Sequence, residues 1–176
     1  MLDSIVQKIK INTVKSLTQP GRTLDIGCGN KTYTKHMPNP VGVDIDGSFE
    51  GKESLPDYWM DARELGFVNE TFDNVCLLDT LEHVPEVDVV VKEAWRVLRP
   101  NGVLVITDPN DTVLFWARLL ALRFKDAFRG NPDHVHKFDK DRLVELTTPL
   151  FKLEKTIPRG IFTGYAFRKG EQWGIL

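Results

Sequence analysis

The sequence predicts an α/β domain built on a doubly wound, mostly parallel seven-stranded sheet with one antiparallel strand at its edge. Three observations lead there. Short apolar runs alternate with helical stretches over the first 110 residues, the βαβα order that builds a parallel sheet. The run Gly102-Val103-Leu104-Val105-Ile106-Thr107 is continuously apolar up to its last residue, as a strand covered on both faces must be. Two late runs, 151–157 and 161–167, are joined only by Pro158-Arg159-Gly160, which is too short for a parallel crossover and makes them an antiparallel pair.

The elements follow in order. Residues 4–17 place Ile5, Ile9 and Leu17 among polar neighbours, which predicts a weakly amphipathic helix that Pro20-Gly21 breaks. Thr23-Leu24-Asp25-Ile26 is a short strand running into Gly27-Cys28-Gly29-Asn30, with a helix expected over 31–37 and closed by Pro38. Val41–Ile45 and Tyr58–Asp61 read as the second and third strands, with a polar loop or poorly ordered helix over 46–56 between them. Phe72–Asp79 is an apolar fourth strand, and Leu81-Glu82-His83-Val84 lies just beyond it. Residues 86–98 form a helix with Val87, Val90, Val91, Ala94, Val97 and Leu98 on one face, stopped at Pro100-Asn101-Gly102. A second helix is expected over 112–129 and a short one over 139–149, where Asp139 suits an N-cap.

Composition narrows the class. The 176 residues fit a single domain, 1–176, with the N-terminal helix inside 1–20 and an insertion over 111–137. The 23 basic residues are balanced by 25 acidic ones, so no dense basic face is expected and no nucleic-acid partner with it. Cys28 and Cys76 lie in no CxxC pair or His-containing cluster; no disulfide framework is predicted, and a reducing compartment fits. The start Met1-Leu2-Asp3-Ser4 lacks a basic-then-apolar signal pattern, and no apolar run approaches the ~18 residues of a membrane span. A cytoplasmic chain is expected.

The chemistry gathers at the strand ends. Leu24-Asp25-Ile26-Gly27-Cys28-Gly29-Asn30 takes a strand straight into two glycines spaced by one residue, where the chain turns tightly and a ligand can approach the backbone. This is the first βα turn of a Rossmann-like fold, in which ligands lie across the carboxyl ends of the strands. Asp44 ends the next strand 17 residues after Gly27, a spacing that suits hydrogen bonds to ribose hydroxyls. Asp61 and Ala62 end the third strand, where Asp61 could accept from an adenine amine or cap the turn at Ala62–Leu65. Asp79 to Val84 end the fourth. Glycine or acid at four successive strand ends is more than folding alone requires.

Taken together, these motifs resemble the class I S-adenosylmethionine-dependent methyltransferases. Leu24–Gly29 is similar to their glycine motif, Val41-Gly42-Val43-Asp44 to their acidic second strand, and Met60–Leu65 to their adenine-binding turn. Phe72–Val75 through Leu81–Val84 resembles their fourth strand with its Glu-His. Glu93–Gly102 resembles the helix and Pro-x-Gly turn that follow. The resemblance covers about residues 22–110 and runs closest to the small-molecule and lipid methyltransferases of the ubiquinone and menaquinone type. It implies S-adenosylmethionine as cofactor and S-adenosylhomocysteine as product. Asp25, Gly27, Cys28 and Gly29 would surround the methionine moiety, Asp44 and Ile45 the ribose, Asp61 and Ala62 the adenine, and Leu78 and Asp79 the sulfur.

A nicotinamide enzyme would want a third glycine where Thr32 stands, to pack a helix under a pyrophosphate that S-adenosylmethionine lacks. A cofactor-binding module without turnover is a further alternative. Methyl transfer is a direct displacement that relies mainly on alignment, so few obligatory catalytic side chains are expected. Asp79, His83 and His134 are the candidate bases, needed only if the nucleophile arrives protonated. His134 and His136 alternate and would share a side, but no further ligand clusters with them, and no metal site is predicted. The expected helix over 112–129 carries Leu114, Phe115, Trp116, Leu119 and Leu120, too many apolar residues for a narrow stripe. It reads as a lid over a small or lipid-like acceptor, and its arginines would allow peripheral membrane contact.

Overall fold

The computed structural model describes residues 2–45, 54–110, 113, 138–148 and 150–170. Helix α1 spans Leu2–Leu17. Strand β1 (Thr23–Ile26) follows, then β2 (Pro40–Asp44), β3 (Tyr58–Trp59) and β4 (Phe72–Leu78). Helix α2 (Val87–Val97) leads into β5 (Leu98–Pro109). Helix α3 (Lys140–Thr147) then precedes β6 (Phe151–Pro158) and β7 (Phe162–Lys169). The helix expected over 112–129, most of the loop over 46–56, His134 and His136 lie outside the described residues.

The seven strands form one sheet in the order β3-β2-β1-β4-β5-β7-β6. β1 pairs in parallel with β2 on one side and β4 on the other, and β5 continues the parallel run. β7 is antiparallel to both β5 and β6, so the antiparallel strand belongs to the edge hairpin, with β6 outermost. The sequence runs outward from β1 in both directions, which places a topological switch point between β1 and β4.

Alternation along the strands divides the apolar side chains between two layers. Leu24, Ile26, Val75, Leu77, Leu104 and Ile106 pack with Val90, Val91, Ala94 and Val97 of α2 and Leu143 of α3. Cys76, Leu78, Val103 and Val105 face the other way, with Val14 and Leu17 of α1. Helix α2 keeps the predicted face: Val87, Val90, Val91, Ala94 and Val97 are all buried. In α3 the Asp139 side chain accepts from the Arg142 amide, the expected N-cap.

Three local readings change. The helix expected over 31–37 reduces to a 3-10 turn, Thr34–His36. The Asn30 side chain accepts from the Thr32 amide and hydroxyl, and Lys31 has φ +58°, so local polar bonds displace a helical start. Pro100-Asn101-Gly102 does not interrupt β5. The strand already pairs at Leu98 with Phe72, and a register shift between Phe72 and Asn74, with Asn101 at φ +61°, absorbs the turn. In α1 the buried stripe is Lys10, Thr13, Val14 and Leu17, whereas Ile5 is exposed.

Asn74 in β4 locks the segment that joins α1 to β1. Its buried side chain accepts from the Gln19 amide at 2.9 Å and donates to the Gln19 carbonyl at 2.9 Å and the Thr23 hydroxyl at 3.2 Å. Asn74→Ala strands those groups. A loss of about 1–3 kcal/mol in unfolding free energy is expected, read as a lower urea midpoint with an unchanged slope.

Candidate active site

The site starts at the turn after β1. Gly27 has φ +73° and Gly29 φ +53°, a region that favours glycine. The Gly27 and Cys28 amides both donate to the Val43 carbonyl, at 2.9 and 3.1 Å, holding the turn against β2. At Gly27 a Cβ would stand 2.6 Å from Thr80 Cγ2. Thr80 reaches across from the end of β4, and its hydroxyl donates to the Ile26 carbonyl at 3.0 Å.

Two cavities open beside this turn. The larger, about 590 Å³, is lined by Gly27, Gly29, Asp44, Ile45, Met60, Asp61, Ala62, Arg63, Asp79, Thr80 and His83, with Ile26, Val84 and Pro85. Its size suits a small-molecule ligand or a nucleoside. The smaller, about 260 Å³, is lined by Gln7 of α1 with Asp25, Gly27, Cys28, Gly29, Asn30, Thr32, Tyr33 and Leu78. Gly27 and Gly29 border both. The strand ends therefore bring the sequence-predicted residues together. Gly27, Gly29, Asp44, Ile45, Asp61, Ala62, Asp79 and His83 meet in the larger cavity, and Asp25, Cys28 and Leu78 in the smaller. The third candidate base, His134, lies outside the described residues.

Each carboxylate is held differently. Asp44 accepts from the Gly29 amide and its neighbour's amide at Ile45, both at 2.8 Å, which fixes it on the cavity wall. Asp25 is fully buried. One of its oxygens accepts from Thr34 Oγ1 at 2.5 Å, and the other has no hydrogen-bond partner among the described residues. Burial, opposed by the Thr34 bond, pushes its carboxyl up to about 7. Asp61 accepts from the Arg63 amide at 2.8 Å and from the Arg63 guanidinium, whose hydrogen bonds hold its carboxyl below the usual range. The same guanidinium reaches Glu86. Asp61 thus takes the turn-capping role and lines the cavity as well.

The wall that carries Asp61 and Ala62 is anchored to α2. Arg96 donates to the Leu65 and Phe67 carbonyls at 2.8 and 2.7 Å, and Glu93 accepts from the Leu65 amide at 2.9 Å.

At the end of β4, Asp79 has φ +53°, which is uncommon for a residue with a side chain. Its Oδ1 accepts from Thr107 at 2.9 Å, and its Oδ2 accepts from the ammonium of Lys10. The next acid, Glu82, is buried with one oxygen unpartnered among the described residues. Burial, with Asp79 and Asp108 nearby, pushes it up to about 7. His83 is exposed on the larger cavity. Burial, with Asp25 and Asp44 nearby, pushes the Cys28 thiol up to about 12, which disfavours the thiolate.

Lys10, Tyr33 and Arg63 escaped the sequence reading. For Lys10 a signal existed: it precedes Val14 by four residues and Leu17 by seven, on the stripe that α1 buries.

Residues 24–106 match the family model described as a methyltransferase domain. A ubiquinone biosynthesis O-methyltransferase of Azorhizobium caulinodans is 31% identical over 132 residues, which cover 68% of this chain and 52% of that protein. One of the same name from Rhizobium etli is 29% identical over 157 residues, covering 80% of this chain and 63% of the relative. The chain thus spans between half and two thirds of the length of these relatives. A solved Thermotoga maritima structure, described as an S-adenosylmethionine-dependent methyltransferase and possible histamine N-methyltransferase, superposes with a TM-score of 0.71. It is 19% identical, with 93% of this chain and 89% of that one covered. A Pyrococcus horikoshii structure gives the same TM-score at 22% identity, covering 96% and 91%. These two likenesses extend the shared fold over nearly the whole chain. Glycine turn, acidic strand ends and sheet order agree with that match: residues 24–106 belong to the methyltransferase domain family, and the seven-stranded sheet around them has the fold of the class I S-adenosylmethionine-dependent methyltransferases.

Proposed function

We propose that the chain binds S-adenosylmethionine across the two cavities and directs its methyl group to a small or apolar acceptor. The observation that carries this reading is the pairing of a nucleoside-sized cavity with a smaller one across a single glycine turn. The residues fit the cofactor's parts. Asp25 offers a buried oxygen without a partner among the described residues, which suits an ammonium group. Asp44 and Ile45 would hold the ribose, and Asp61 and Ala62 the adenine. Gly27, Cys28 and Gly29 leave the backbone open to close approach, and Leu78 and Asp79 flank the place where the two cavities meet.

When bound, S-adenosylmethionine supplies an electrophilic methyl carbon on a positively charged sulfur, and the sulfide that departs is neutral. No side chain is required to protonate a leaving group. What remains for the protein is alignment and exclusion of water, which oriented groups supply at roughly 7–11 kcal/mol. If the acceptor arrives protonated, His83 is the better-placed base. It is exposed on the larger cavity, and the Asp79 carboxylate is held by Lys10 and Thr107. A small acceptor accords with the names of the relatives. A nicotinamide role is disfavoured, since Thr32 stands where its third glycine would be.

Isothermal titration with S-adenosylhomocysteine, and with NADH in parallel, tests the cofactor. Saturable binding of the first alone is expected, and no binding to a folded protein defeats the reading. Binding without S-adenosylhomocysteine formation from any offered acceptor would point to a non-catalytic module.

The binding should also depend on pH. Asp25, pushed up to about 7, is largely protonated below that pH in the free protein, and an incoming ammonium requires the ionised form. Affinity should therefore rise from pH 6 to pH 8, with proton release at pH 6 seen as a buffer-dependent enthalpy. Asp25→Asn should abolish that release and weaken binding at pH 8 by about tenfold.

With a protonated acceptor, His83→Ala should lower kcat by roughly 10²–10⁴-fold. Unchanged turnover removes His83 from the mechanism.

A further inference from the structure

Lys10 stands at the site for a reason that neither the motifs nor the glycine turn explains. It lies on α1, far from the strand ends in sequence, and only 5% of it is exposed. Its ammonium donates to Asp79 and stands 5.4 Å from the ring centre of Tyr33 and 5.1 Å from that of Phe162. It also acts on Glu82, whose other charged neighbours are Asp79 and Asp108. Lys10 thus brings a cation to this group of carboxylates.

Packing gives no reason for a charge here. A buried ammonium carries a large desolvation cost, and apolar residues of similar volume often replace a buried ion pair with no loss of stability. A methionine could cover the same two rings.

Asp79 borders the larger cavity and its neighbour Leu78 the smaller, so the end of β4 lies where the cavities meet. On the proposed reading, the nucleoside fills one cavity and the amino acid the other, and the sulfur that joins them lies at this junction. A bare carboxylate there would attract the positive sulfonium. That attraction weakens as the charge disperses during transfer. Such ground-state binding does not raise the rate.

We propose that Lys10 is a positioning residue that sets the charge at the transfer centre: by neutralising Asp79, it keeps the centre from favouring the positively charged cofactor over its neutral product. This inference rests on the cofactor reading above and goes beyond it. It assigns α1 an electrostatic part in choosing between two ligands that differ by one methyl group and one charge.

The test is the ratio of the Kd of S-adenosylhomocysteine to that of S-adenosylmethionine, measured by calorimetry at pH 7.5. Lys10→Met should raise this ratio by about fivefold, because Asp79 then faces the sulfonium uncompensated. Asp79→Asn removes the carboxylate that the Lys10 ammonium contacts and should move the ratio the other way. A purely structural role would weaken both ligands by the same factor. An unchanged ratio in a folded Lys10→Met protein overturns the proposal. If Lys10→Met does not fold, the Asp79→Asn ratio decides alone, and no change there overturns it. Binding of S-adenosylhomocysteine by the unaltered protein separates this failure from failure of the cofactor reading.

Discussion

The carboxyl ends of β1 and β4 can lie this close only because residue 27 has no Cβ. A Cβ there would fall 2.6 Å from the Thr80 methyl, and its positive φ is a second reason for glycine. The contact is held by a hydrogen bond, since the Thr80 hydroxyl donates to the carbonyl of Ile26. Much of the site follows from this approach. β1 sits at the switch point of the sheet, with β2 on one side and β4 on the other. The turn after β1 must therefore leave between two neighbours whose chains depart in opposite directions. The two cavities border the glycines of that turn, and Asp44 and Asp79 at the ends of the flanking strands line the larger of them.

Around that turn the protein uses acids in three electrostatic states. Asp44 is tied to two amides, which fix its carboxylate in place. Asp61 is bound to a guanidinium and held below its usual range. Asp25 and Glu82 are buried, each with an oxygen lacking a partner among the described residues, and both are pushed up to about 7. Burial without full pairing destabilises a charged group, so these two acids oppose ionisation in the free protein. Only Asp25 opens onto a described cavity, so only there can an arriving cation offset that cost. Glu82 instead joins Asp79 and Asp108 in the negative field that Lys10 answers.

Much of this was legible in the sequence because it depends on local rules. A glycine turn after a strand, an acid at a strand end and a five-residue apolar stripe on α2 each need only neighbours within one element. The larger cavity gathers Gly27, Gly29, Asp44, Asp61, Asp79 and His83 because parallel strands put their carboxyl ends on one edge. The failures have a common cause as well. The helix expected over 31–37 lost to the Asn30 side chain, which accepts from both the amide and the hydroxyl of Thr32, a competition that apolar periodicity does not register. The face of α1 was misread because two of its buried residues, Lys10 and Thr13, are polar. Arg63 pairs with Asp61 two residues before it, and its second partner, Glu86, lies 23 residues away in the chain.

That misread face changes what α1 is. A helix preceding the first strand looks like a cover for one side of the sheet, and Val14 and Leu17 do serve that purpose against Cys76, Leu78 and Val105. One turn earlier, the same stripe delivers an ammonium to the end of β4 and, through Gln7, a wall to the smaller cavity. The helix register that buries Leu17 therefore also places Lys10 on Asp79. Apolar burial supplies the alignment and the ion pair uses it. A slip that moved the lysine away would expose Val14 and Leu17 at the same time. Packing and charge placement on α1 are in this sense one constraint, and the core beneath the sheet helps set the electrostatics at its edge.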